Sequence, residues 1–280
     1  MTVDARELLR RYGLSAKKSW GQNFLVNDGV YRTIVDATVE SDADWIVEIG
    51  SGLGTLTARL SDRVPAGRVI AVERDRDMIA VLRGELGDRP NVDIAERDAK
   101  QVDYGAIAAR RGGPVAVCGN LPYQISSPIL FSLIDQRRHV ARAVVMLQRE
   151  VAERLVAPPG TRAYGAVTAI LGAVADVDLV ARVRPGSFFP PPKVESAVVA
   201  IRPLARPRAA IADERHFRDV VHAAFAQRRK TVRNALRAAF PAAAVDAAFA
   251  AAGVDGARRG ETLSIEELAA VAAGLPHREA

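Results

Sequence analysis

The chain has 280 residues, 49% of them hydrophobic and 26% charged; this is the balance of a folded globular protein and excludes a disordered one. A single cysteine, Cys118, excludes an internal disulfide framework and a thiolate-rich metal site, and the four histidines (His139, His216, His222 and His277) lack metal-binding spacing, so no metal is expected. Net charge is +6, no apolar run reaches the ~18 residues of a membrane span, and the first residues lack the apolar block of a signal peptide, so the expected location is the cytoplasm.

In chain order, residues 4–12 read as a short helix. A basic-aromatic segment follows, Lys17-Lys18-Ser19-Trp20-Gly21-Gln22-Asn23-Phe24-Leu25. Trp45-Ile-Val-Glu-Ile49 is an apolar run ending in glycines, the signature of a buried strand. Val69-Ile-Ala-Val72, Val92-Asp-Ile-Ala95, Val115-Ala-Val-Cys118 and Ala143-Val-Val-Met-Leu147 repeat it, with helical segments such as Leu53–Leu60 and Asp77–Leu86 between the first of them. Alternation of this kind predicts an α/β fold built on a parallel, doubly wound sheet.

The pattern changes after Arg184. Residues 185–192, rich in proline and aromatics, are expected to be a loop, and Ser196–Ile201 one more strand. Arg206-Pro207-Arg208 reads as a linker, and everything beyond it as helical. Pro241 and Gly253 bracket one helix, and Ser264 with Glu267 forms a capping box that opens another. The expected domains are 1–205 and 206–280.

Glu48-Ile49-Gly50-Ser51-Gly52-Leu53-Gly54 lies between a buried strand and a helix. Its spacing is G-x-G-x-G, with Thr55 where a dinucleotide site would place its third glycine. Glu73 ends the second strand, where a carboxylate accepts hydrogen bonds from both ribose hydroxyls of an adenosine. Asp98 follows the third strand and is placed to accept from an adenine amine. This ordered set favours an adenosine-bearing cofactor, and S-adenosylmethionine over NAD, because it has no pyrophosphate in need of a helix N-terminus.

Asn120-Leu121-Pro122-Tyr123 follows the fourth strand, at the edge of the sheet where α/β folds bind ligands. The exocyclic amine of adenine is a poor nucleophile because its lone pair is delocalised. An Asn side-chain oxygen and the backbone carbonyl of residue 121 or 122 can each accept one of its N–H bonds and aim the lone pair at a methyl sulfonium. Pro122 removes a competing donor, and Tyr123 offers a face for stacking the base.

Together Val47–Gly54, Asn120–Tyr123 and Gly21-Gln-Asn-Phe-Leu25 resemble the rRNA adenine dimethyltransferase family, most closely its small-subunit (16S), KsgA-type branch. The likeness runs from Lys17 to about Leu268 and includes Ser187–Ser196, Ala224–Asn234 and Arg259–Ser264. The resemblance implies a Rossmann-like methyltransferase sheet with a small all-helical C-terminal domain. It implies that Asn23, Leu25, Gly50, Gly52, Glu73, Asp98 and Asn120 hold S-adenosylmethionine. It implies further that Asn120, Leu121 and Pro122 position the target amine while Tyr123 and Phe188 sandwich the flipped adenine. Two adjacent adenines, each methylated twice, in 16S rRNA of the small subunit or its precursor are the implied substrate, and a monomer suffices. Ser51, Trp20 and Gln124 depart from the family pattern without removing a group the chemistry needs.

The charge excess supports an RNA partner. Between Arg206 and Phe240 there are nine Lys/Arg and three Asp/Glu, and the rest of the chain holds 30 of each sign. Such a block marks either a polyanion site or a solvated helix face. If Gln227–Arg237 continues as one helix, Arg229, Lys230, Arg233 and Arg237 fall within a ~100° arc; with Arg228 they are the expected RNA contacts. Competing readings are an antibiotic-resistance type enzyme acting on large-subunit rRNA, a non-catalytic ribosome-assembly factor, and an NAD oxidoreductase.

Overall fold

The computed structural model describes residues 4–17 and 20–277; Lys18 and Ser19 of the basic-aromatic segment lie outside the described residues. Its elements are α1 (Ala5–Arg11), β1 (Phe24–Leu25), α2 (Asp28–Thr38), β2 (Trp45–Ile49), α3 (Thr55–Arg63), β3 (Arg68–Glu73), α4 (Arg76–Leu86), β4 (Val92–Glu96), α5 (Tyr104–Arg111), β5 (Val115–Asn120), α6 (Ser126–Asp135), β6 (Val140–Gln148), α7 (Arg149–Leu155), α8 (Ala166–Val174), β7 (Ala175–Val183), β8 (Phe188–Phe189), β9 (Ser196–Pro203), α9 (Glu214–Phe225), α10 (Val232–Arg237), α11 (Ala242–Ala252) and α12 (Ile265–Ala273).

The apolar runs assemble into a seven-stranded sheet of order β4-β3-β2-β5-β6-β9-β7. Strands β4, β3, β2, β5 and β6 are parallel, and β9 runs antiparallel to β6. The order reverses between β2 and β5, so their carboxyl ends, at Ile49 and Asn120, open the crevice that such sheets use for ligands. Ile46, Val47, Ile49, Val117 and Cys118 are fully buried, which explains why the central strands read as unbroken apolar runs. β7 is different. Asp176, Asp178, Val180 and Arg182 are exposed and alternate with more buried neighbours, as an edge strand requires.

Two expectations are corrected. Residues 185–192 are not all loop: Pro185–Ser187 forms a 3₁₀ turn, and Phe188–Phe189 pairs antiparallel with Phe24–Leu25. A second bond, from the Val26 amide to the Ser187 carbonyl at 2.8 Å, extends the pairing. Nor does 227–237 continue as one helix. α9 ends at Phe225, the Lys230 amide closes a turn on the Gln227 carbonyl at 2.9 Å, and the Thr231 hydroxyl caps a new helix, α10. A threonine side chain that accepts a backbone N–H favours a helix start over a helix interior.

Contacts divide the chain into two compact units: residues up to Ala152 with Asp178–Pro203, and Glu153–Val177 with Leu204 onward. The helical unit therefore takes in 153–177 as well as the segment beyond the expected boundary near 205. Within it, α8, α9, α10, α11 and α12 pack on one another around Phe217, Val220, Leu236, Val245, Phe249 and Leu268. α11 runs from Pro241 to a left-handed Gly253, and Ser264 and Glu267 form a reciprocal capping box at α12.

In the first unit a buried ionic knot ties α2 and β2 to β6. Arg142, 6% exposed, donates from Nε to the Thr38 carbonyl at 2.6 Å, pairs with Glu40 at 3.0 Å, and pairs with Asp44. Asp44 also accepts the amides of Glu40 and Ser41.

Candidate active site

The turn after β2 packs against the tetrapeptide after β5. A Cβ at Gly50 would lie 3.7 Å from both the Asn120 carbonyl oxygen and Pro122 Cδ. Gly50, Gly52 and Gly54 have φ of +70°, +54° and +77°, values that L side chains rarely adopt. At Gly52 a Cβ would also come within 3.3 Å of Phe24 Cε1, and at Gly54 within 2.8 Å of Leu82 and Leu86. The backbone thus turns tightly at the floor of a cavity of about 220 Å³, whose lining includes Asn23, Leu25, Gly50, Gly52, Glu73 and Asn120–Tyr123.

Glu73 joins the turn to β3. One carboxylate oxygen accepts the Gly52 amide at 2.9 Å; the other accepts the amides of Arg74 and Asp75 at 2.8 and 2.9 Å. Each oxygen has two lone pairs, so the first retains one for a hydroxyl donor. Asp98 is placed otherwise than expected. Its neighbours Arg97 and Ala99 line the cavity, while its own carboxylate caps a 3₁₀ turn through the Lys100 amide and pairs with Arg74 at 3.3 Å.

The strap Asn23–Leu25 crosses the cavity, held from several elements. Asn120 Nδ2 donates to the Asn23 carbonyl at 3.0 Å. A carbonyl can only accept, so this bond directs the Asn120 NH₂ toward the strap and fixes Oδ1 as the free acceptor. The Tyr31 hydroxyl donates to the Leu25 carbonyl at 2.6 Å and meets the Thr55 hydroxyl at 2.5 Å; burial pushes this phenol up to about 12. Further along the tetrapeptide, the Leu121 amide is bound to the Met146 carbonyl and the Pro122 carbonyl accepts the Ile125 amide. The Leu121 carbonyl takes no hydrogen bond among the described residues. Tyr123 is half-buried, its hydroxyl 2.6 Å from Ser196 Oγ, and burial raises its pKa.

Phe188, expected to stack on the target base, is not among the residues that line the cavity. It is 2% exposed and belongs to the core cluster with Leu25, Tyr31 and Ile34, behind the cavity wall. Side chains alternate along a strand, and in β8 Phe188 takes the inward position beside Leu25 while Phe189, 39% exposed, takes the outward one against Arg6. Cys118 is buried in the same cluster, and burial pushes its thiol well up.

Sequence reasoning assigned Glu48 no role, although an acid inside the apolar run Trp45–Ile49 was a legible signal. It is 2% exposed, lines the cavity and accepts from Thr57 Oγ1 at 2.5 Å. Burial, with the nearby Glu73 charge adding to it, pushes its pKa from 4.5 to about 8. The folded state then holds this proton more tightly than the unfolded state. The stabilising effect is complete below pH 4.5 and is lost as pH rises through about 8. Urea midpoints measured at about pH 5 and about pH 9 should therefore fall for the native chain and fall less for Glu48→Gln.

Of the five expected RNA contacts, two are free. Arg229 and Lys230 are exposed in the turn before α10, with no acidic partner among the described residues. Arg228 donates to the Arg162 carbonyl at 2.6 Å and lies 3.9 Å from Glu261. Arg237 and Arg233 both pair with Asp246, at 2.6 and 3.7 Å. Among the described residues there is no cluster of three His, Cys, Asp or Glu able to hold a metal, and no helix long and apolar enough to cross a membrane.

Residues 13–275 match the family model described as ribosomal RNA adenine dimethylase. Ribosomal RNA small subunit methyltransferase A of Anaeromyxobacter sp. (strain K) is 55% identical over 286 residues, covering 95% of each chain. The protein of the same name from Myxococcus xanthus (strain DK1622) is 47% identical, covering 95% of this chain and 93% of that one. Among solved structures, a dimethyladenosine transferase from Plasmodium falciparum superposes with a TM-score of 0.72 at 26% identity, over 89% of this chain and 95% of that one. The 23S rRNA methyltransferase ErmE gives 0.68 at 25%, over 90% and 99%.

Proposed function

Since the chain belongs to the ribosomal RNA adenine dimethylase family, we propose that it transfers methyl groups to the exocyclic amine of adenines in small-subunit (16S) rRNA, giving dimethyladenosine. The observation that carries this reading is the apposition of the glycine turn and Asn120–Tyr123 in one cavity. The cradle fits the donor: left-handed Gly50 and Gly52 line the cavity with main chain, and Glu73 presents a carboxylate for the ribose of S-adenosylmethionine. When bound, it supplies an electrophilic methyl on sulfur.

The chain's own residues do the rest. Asn120 Oδ1 and the Leu121 carbonyl accept the two N–H bonds of the target amine and hold its lone pair toward the methyl. The Ser196 bond anchors Tyr123 as the stacking face. A duplex base cannot reach such a cavity, so the adenine comes from a loop or is flipped out. Two adjacent adenines in a loop near the RNA 3′ end are the proposed target, in the subunit or its precursor. The proposal places a single copy of the chain on that substrate, in the cytoplasm.

The large-subunit alternative has weaker support, because ErmE is 25% identical whereas the small-subunit enzymes are 55% and 47% identical. Labelled methyl transfer into ribosomal subunits from a strain lacking the activity, followed by nucleotide mapping, tests the reading. Label in adjacent small-subunit adenines is expected, and label confined to 23S rRNA would overturn it. For the RNA contacts, Arg229→Ala with Lys230→Ala should lower the slope of log affinity against log salt by roughly 0.7 per residue removed. Arg233→Ala and Arg237→Ala, at residues that share the Asp246 carboxylate, should change it less.

A further inference from the structure

Trp20 is one of the few large apolar side chains left exposed, at 40%, and it sits on the cavity wall. Two cations face its ring. The Arg74 guanidinium lies 4.6 Å from the ring centroid and the Lys17 ammonium 5.5 Å. Both cations are themselves pinned: Arg74 by Asp98 at 3.3 Å, and Lys17 by Asp75 and Asp77, each at 2.7 Å. Gln22, two residues on, donates to the same Asp75 at 2.8 Å. Asp75 is buried, which alone would raise its pKa, yet its bonds to Lys17, the Asp77 amide and Gln22 bring it below the usual carboxylate value. An indole fixed this firmly while still exposed on a cavity wall is ready for a planar partner.

The sheet order says which end of a ligand it meets. Arg74 follows β3 and Asp98 follows β4, whereas Asn120 ends β5, on the other side of β2. Through Arg74 and its partner Asp98, Trp20 is tied to the tips of β3 and β4. Resting on the methyl-donor reading above, we infer that Trp20 is the stacking contact for the purine ring of the adenosyl ligand, set in place by Arg74 and Lys17. Base–aromatic stacking is sequence-tolerant and strong enough to matter for affinity.

The chain has two tryptophans, which makes the test direct. Trp45 opens β2, at the opposite end of that strand from the glycine turn, flanked by Arg68 and Arg110. In a Trp45→Phe protein all indole emission comes from Trp20, and S-adenosylhomocysteine should quench or shift it. By calorimetry, Trp20→Ala should weaken S-adenosylhomocysteine binding about tenfold, or about 1.4 kcal/mol, and Trp20→Phe should restore most of it. Methylthioadenosine, which keeps the purine and ribose but lacks the amino-acid tail, should lose the same factor. Native-like affinity in Trp20→Ala, or emission that answers an RNA fragment and not S-adenosylhomocysteine, would overturn the inference while leaving the methyl-donor reading intact. No S-adenosylhomocysteine binding by the native chain would overturn both.

Discussion

Replacing Asn120 with alanine is expected to lower the rate of methyl transfer by about 10²–10³-fold or more, the usual loss when one preorganised polar group at a reacting centre is removed. Affinity for S-adenosylhomocysteine should change far less, within about tenfold, because Glu73 and the glycine turn are untouched. RNA affinity should hold. The reason lies in how the side chain is set. Its NH₂ is committed to the Asn23 carbonyl, which leaves Oδ1 to receive the target amine. Asn120→Asp keeps an acceptor but cannot donate to that carbonyl, and should fall between alanine and the native residue. Single-turnover transfer of labelled methyl groups reads the rate, and calorimetry reads the affinity. Turnover by Asn120→Ala within tenfold of native would remove Asn120 from the chemistry.

Arg142→Ala should be the most damaging substitution for stability outside the site. It leaves the Thr38 carbonyl without its buried donor, and Asp44, 4% exposed, with only Arg111 at 3.6 Å and the Glu40 and Ser41 amides. Breaking a buried pair from one side costs about 3–5 kcal/mol, which lowers the thermal midpoint by on the order of 10 °C in a chain of this size. Removing both charges, Arg142→Ala with Asp44→Ala, should recover part of the loss, because the stranded carboxylate goes with its partner. Thermal unfolding of both variants gives the comparison, and a loss under about 1 kcal/mol for the single variant would show that the knot is solvated.

The sheet was legible because its central strands are buried on both faces and so are written as apolar runs. The glycine turn and Asn120–Tyr123 were legible for a related reason: they sit at the ends of those runs, where position in the sheet implies a site. β7 was not, because half of its side chains face out and its polar alternation hides it. The inward facing of Phe188 was not legible, because facing within a two-residue strand depends on its partner, Leu25, more than 160 positions away. The break before α10 turned on the cap at Thr231, a local signal outweighed in the reading by the continuity of the basic run. Arg142–Asp44 and Lys17–Asp75 join residues far apart in the chain, and no local pattern announces such pairs.

The discontinuity of the two units has a practical meaning for dissecting the protein. A stop codon after Pro203 does not deliver a clean catalytic fragment. It keeps α8 and deletes α9 and α12, the helices on which α8 packs, so Ile170, Leu171 and Val174, now buried, become an orphaned sticky surface and invite aggregation. Residues 153–177 belong with the helices that such a stop would remove, so the catalytic unit is not a single continuous stretch of chain.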